Sequence, residues 1–99
     1  MLYIADYEGF LNGNIKSVKL SRKDKEKVLF VLNNTRFTFV AAQNVYDEIA
    51  KKPTNILLKA YEKDGFVWDD NDIYYFDKYD MPITDDFFNY CVGRENGGK

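Results

Sequence analysis

The segment Val67–Asp86, VWDDNDIYYFDKYDMPITDD, interleaves carboxylates with aromatic rings and holds a single basic residue, Lys78. Two chemistries suit such a pattern: cation binding by the carboxylates, and docking onto a basic macromolecular surface. A calcium loop is the sharper form of the first. It fails on spacing, because Ile73 or Tyr74 falls at the third ligand place of the D-x-[DN]-x-[DN]-G pattern whichever aspartate begins it.

The second chemistry has more behind it. Every acidic residue in the segment is an aspartate, whose short side chain holds charge close to the backbone. Asp69, Asp70, Asp72, Asp77, Asp80, Asp85 and Asp86 are therefore candidate contacts for a basic partner surface. Trp68, Tyr74, Tyr75 and Tyr79 are the candidate amphipathic anchors beside them. If the cluster is extended, same-face carboxylates such as Asp70 and Asp72 lie about 6–7 Å apart, twice the strand rise. That is comparable in scale with the charge spacing of a nucleic-acid strand.

Charge is segregated along the chain. Eight aspartates and one lysine give residues 64–90 a charge of −7, leaving +5 for the remainder of a chain whose total is −2. Lys16, Lys19, Arg22, Lys23, Lys25 and Lys27, offset by Asp24 and Glu26, put +4 of this into residues 16–27. The expected function is a small non-enzymatic interaction protein, an acidic inhibitor or nucleic-acid mimic. It would block the basic groove of a nucleic-acid-processing or defence protein, in the manner of small phage and mobile-element inhibitors. The alternative is a nucleic-acid-binding module that uses segment 16–27, with exposed rings such as Tyr3, Tyr7 or Phe10 as stacking platforms; the net charge of −2 weighs against it, and direct nucleic-acid binding is not the expectation. The competing structural readings are an ordinary acidic loop at 69–72, a solvated link at 21–27, and core packing for Trp68 and the phenylalanines.

Absences exclude more than the acidic segment proves. The chain has no histidine and one cysteine, Cys91, so histidine-based triads and histidine- or cysteine-rich metal sets cannot be built. Neither G-x-x-x-x-G-K-[ST] nor G-x-G-x-x-G occurs. No catalytic group, cofactor or metal is expected. A lone cysteine, with no long apolar run or leader-like N-terminus, makes a reducing, cytoplasmic setting the default expectation.

The elements that must position these residues follow from local pattern. A length of 99 residues with 45% hydrophobic content predicts one domain over 1–93, with a disordered Gly- and Asn-rich tail over 94–99. Asn12-Gly13 predicts a first hairpin. The apolar run Val28–Leu32, the pair Asn33-Asn34 and the β-branched stretch that follows predict a second, with a helix over Lys25–Leu32 as the alternative. Asn44 and Thr54 are read as helix caps, the latter in competition with a hairpin over Lys63-Asp64-Gly65. Short strands are expected at Phe66–Trp68 and Ile73–Phe76 around a DDND turn. Thr84, Asp85 and Asp86 start a last helix that ends at Gly93. The sum is an α+β fold, an antiparallel sheet of about four to five strands with two to three short helices.

Overall fold

The computed structural model describes residues 1–93 and is α+β, with four helices and an open four-stranded sheet. The strands are β1 (Leu2–Tyr3), β2 (Phe37–Asp47), β3 (Lys52–Lys63) and β4 (Phe66–Asp69). The helices are α1 (Tyr7–Leu11), α2 (Arg22–Asn33), α3 (Asp70–Tyr79) and α4 (Asp85–Val92). Sheet order is β1-β4-β3-β2. β2/β3 and β3/β4 are antiparallel, but β1 runs parallel to β4, so the sheet is mixed rather than antiparallel throughout.

The two hairpins lie in the middle of the chain and not at its N-terminus. At Asn12-Gly13 no hairpin forms, because Asp6 accepts the Gly9 N–H at 2.9 Å and starts α1, and Asn12 closes that helix. Gly9 is required there, since a Cβ would stand 2.5 Å from the Asp6 carboxylate. At Val28–Leu32 the helix wins over the strand. Ser21 caps it by accepting the Asp24 N–H, and Val28 and Leu32, one turn apart, both reach the core.

Asn44 does not cap a helix; its side-chain amide donates across the β2–β3 hairpin to the Thr54 carbonyl. Thr54 likewise donates its hydroxyl to the Val45 carbonyl instead of opening a helix. The competing hairpin reading holds at Asp64-Gly65, where φ values of 51° and 87° suit the two central positions of a type I′ turn. Ile73–Phe76 is helical, because Asp69 and Asp72 form a reciprocal capping box that turns the DDND cluster into the start of α3. Phe66–Trp68 as strand, and α4 with its Thr84 cap and left-handed Gly93, match expectation. The tail expected over 94–99 lies outside the described residues.

Side chains alternate across the sheet. Tyr61, Phe66 and Trp68 point to the inner face and pack with Ile4, Val28, Leu32, Phe76 and Phe87 from the rest of the fold. Tyr3, Ala60, Glu62, Val67 and Asp69 take the opposite parity and form the outer face, where Tyr3 is 77% exposed. Phe39 pairs with Ala60 on that same outer face and is 65% exposed. Among the described residues no helix is long and apolar enough to cross a membrane.

Candidate functional site

Folding turns most of the acidic-aromatic segment inward. Trp68 is 3% exposed and stacks on Tyr61 with ring centroids 5.9 Å apart. Asp70 is buried where β4 gives way to α3, and there its carboxylate accepts the Lys59 N–H at 2.8 Å and the Tyr61 hydroxyl at 3.1 Å. It takes the place of the next residue in the strand ladder.

Tyr74, Tyr75 and Tyr79 latch the tip of the β2–β3 hairpin to α3. Tyr74 and Tyr79 donate their hydroxyls to Asp47 at 2.6 and 2.7 Å, and Asp47 also accepts the backbone N–H groups of Ile49 and Ala50. The buried Tyr75 hydroxyl accepts from Glu48 N–H at 2.7 Å and donates to the Tyr46 carbonyl at 3.1 Å. Burial alone would raise the Asp47 pKa; these donors outweigh it and pull the group down to about 2. The same hydrogen bonds to Asp47 push the Tyr74 and Tyr79 phenols up to about 12.

The basic and acidic stretches, far apart in sequence, meet in space. Residues 16–18 lie along the end of α3, where the Ser17 hydroxyl donates to the Tyr79 carbonyl and Val18 N–H donates to the Asp80 carbonyl. Lys25 spans the junction, 2.8 Å from the Asp77 carbonyl and 2.9 Å from the Asp80 carboxylate. Asp80 is thus consumed by an internal ion pair. Asp77, Asp85 and Asp86 remain exposed on the helical side of the molecule.

Asp69 and Asp72 are the two predicted contacts that share one hollow. About 360 Å³ in volume, it lies between the N-terminal end of α3 and α1, lined by Tyr3, Asp6, Tyr7, Glu8, Asp69 and Asp72. A second hollow of about 230 Å³ shares Tyr3, Asp69 and Asp72 and runs on over Val67, Ala60, Glu62 and Thr38. Together they make one groove across the outer sheet face, with an apolar and aromatic floor and five carboxylates along it.

None of Asp6, Glu8, Glu62, Asp69 and Asp72 has an ion-pair partner among the described residues. Burial, then the nearby Asp69 charge, raises Asp72 to about 7 in spite of the hydrogen bond from Asp69 N–H. Burial also raises Asp69, against two backbone N–H donors. Burial and the adjoining Tyr75 hold the Tyr7 phenol far above its ordinary range. Among the described residues no group of three ligating side chains is arranged to hold a metal ion. What the groove can accommodate is a cationic side chain: its charge would favour the ionised forms of Asp69 and Asp72, which burial disfavours, and its alkyl stem would lie on Tyr3 and Val67.

Sequence reasoning missed Asp6, Glu8 and Glu62, and marked Tyr3 only as a stacking ring of the alternative reading. For Glu62 the signal was its alternation with Tyr61, as Val67 alternates with Trp68, which becomes informative only once β3 and β4 are recognised as paired strands; Asp6 and Glu8 carry no such local signal. No family model, curated protein or solved structure matches the chain.

Proposed function

We propose that this protein is a non-catalytic interaction protein that receives a basic segment of a protein partner in the groove on its outer sheet face. The observation that carries this reading is a hollow in which Asp6, Glu8, Asp69 and Asp72 converge without a counter-charge. Arginine or lysine side chains of the partner would enter beside Tyr3 and Tyr7, with the guanidinium favoured for its flat stacking on rings and its bidentate fit to carboxylates. Carboxylates at the rim would speed encounter, and the exposed rings Tyr3 and Phe39 would supply contact area.

A partner with such a segment is best sought among nucleic-acid-processing and defence proteins of the cytoplasm, whose basic grooves the protein would occupy as an inhibitor. The groove replaces the helix-borne aspartates as the contact surface. Asp69 and Asp72 stay in it, and Trp68, Asp70 and Tyr75 act as its framework.

Affinity capture from the native host tests the proposal with three baits. Wild-type protein and the Asp85→Asn/Asp86→Asn variant should retain the same partner, and Asp6→Asn/Glu62→Gln/Asp69→Asn should lose it. Capture that survives the groove changes and disappears with the α4 changes would move the contact surface to the helical side and overturn the proposal.

A further inference from the structure

The alternation along β3 that sends Ala60 and Glu62 to the acidic groove sends Lys59 and Tyr61 to the other face. There they line a hollow of about 730 Å³ with Asn33, Thr35, Arg36 and Phe37. Its chemistry is the reverse of the groove's: a guanidinium, an ammonium and aromatic surface, with no carboxylate in the lining. Phe37 is largely exposed, although it pairs with the buried Tyr61 across the sheet.

The solvent face of α2 leads into this hollow. Lys23, Lys27 and Phe30 recur at i, i+4 and i+7, all are exposed, and Phe30, at 67% exposure, stands one turn before Asn33. At 1.5 Å per residue the face from Lys23 to Asn33 is about 15 Å long. Lys23, Lys27 and Arg36 make no ion pair among the described residues, and Glu26 on the same helix is paired with Arg22 at 3.3 Å. Lys59 is held in place by Asp70, 3.8 Å away.

The C-terminal carbonyls of α2 would disfavour an anion, but two of them are already occupied. The Asn34 side chain donates to the Phe30 carbonyl at 2.7 Å, and the Thr35 hydroxyl donates to the Val31 carbonyl at 2.8 Å. The acidic groove lies on the opposite face of the sheet, so its carboxylates do not line this hollow.

We infer that the track Lys23–Lys27–Phe30–Arg36–Phe37–Lys59 binds single-stranded nucleic acid, with phosphates on the cations and bases stacked on the two exposed phenylalanines. Exposed rings interleaved with cations are what a single strand needs, because every base offers a stacking face and every nucleotide a charge. A duplex would leave the rings without partners. The inference is independent of the acidic groove, since it uses the other face of the sheet and none of its carboxylates.

Fluorescence anisotropy of a labelled twelve-nucleotide oligothymidylate at 50 mM and 200 mM salt tests it, with thymidine monophosphate, a DNA duplex and polyglutamate as competitors. Four contacted phosphates predict a slope of log affinity against log salt of about −2 to −3, which Arg36→Ala and Lys27→Ala should each reduce by about 0.7. Phe30→Ser and Phe37→Ser should each weaken binding by about tenfold with the salt slope unchanged, as loss of a stacked base requires. Because these side chains are exposed, melting curves should remain close to wild type, so lost binding is not lost folding.

Four results would overturn the inference. They are no anisotropy change up to 100 µM (about the weakest non-specific affinity) at the lower salt, binding indifferent to both phenylalanine changes, equal competition by duplex or polyglutamate, and saturation by the mononucleotide at the oligonucleotide's affinity.

Discussion

Replacing Asp72 by asparagine should stabilise the protein most in alkaline solution and progressively less as pH falls towards 4. Asp72 is the third residue of α3; its carboxylate accepts the Asp69 N–H at 3.1 Å, and Asp69 accepts the Asp72 N–H at 3.2 Å. Burial and the Asp69 charge lift its pKa from 3.8 to about 7. Between those two values the folded protein keeps a proton that the unfolded chain has released. This group's contribution is therefore complete below pH 4 and is lost as pH rises through 7.

Three units at about 1.4 kcal/mol each put the cost of ionising Asp72 in the fold at about 4 kcal/mol. Asparagine keeps the acceptor oxygen of the capping box and removes the charge. Urea unfolding of wild type and Asp72→Asn at pH 5 and pH 8.5 should give a variant about 1.5 kcal/mol more stable at the lower pH and about 4 kcal/mol more stable at the higher. A pH-independent difference, or a variant destabilised at pH 8.5, would refute the reasoning.

Asp47 should set the acid limit. Its folded pKa of about 2 is depressed below the ordinary value, so its stabilisation is complete above pH 4 and disappears as pH falls from 4 to 2. Hydrogen-exchange protection at the Glu48, Ile49 and Ala50 amides, taken relative to their intrinsic rates, should fall over that window, and in Asp47→Asn it should already be low at pH 5. Combined with Asp72, this places the stability maximum of the two groups near pH 4, measurable as a denaturation midpoint across pH. Trp68→Ala should cost about 3–5 kcal/mol, the usual range for truncating a buried tryptophan, as read by chemical denaturation. A loss below 1 kcal/mol would place that ring outside the core.

The last helix was legible because its cap, first-turn acids, apolar face and closing glycine all agree. So was strand β4, with inward Phe66 and Trp68 and outward Val67. Where two periods fitted the same residues, the sequence misled. Ile56, Leu57, Ala60 and Tyr61 satisfy helical spacing, yet they lie on β3 between β2 and β4, where pairing on both sides outweighs the local pattern. Val28–Leu32 looks extended because it is unbroken, but exposed Phe30 between buried Val28 and Leu32 is possible only on a helix whose i, i+4 positions share the core face.

The candidate site was half legible for a related reason. Asp69 and Asp72 carry the signature of a capping box, and the same arrangement brings both into the groove. Tyr3, Asp6 and Glu8 join them only through the parallel pairing of β1 with β4, a contact between residues more than sixty positions apart. No local pattern announces a two-residue strand. The tyrosines of α3 were expected outside because they alternate with acids. Their hydroxyls find buried partners on the β2–β3 hairpin instead, and Asp47, in a stretch read as helix, gave no sign that it would be their acceptor.

The most direct measurement is an amide-resolved NMR titration with a short peptide of alternating arginine and leucine, at pH 6 and pH 8. The groove predicts shifts centred on Tyr3, Ala60, Val67, Asp69 and Asp72, with tighter binding at pH 8, where Asp72 is ionised, than at pH 6, where it holds its proton. Shifts confined to Asp77, Asp85 and Asp86, or an affinity that does not rise with pH, would contradict it.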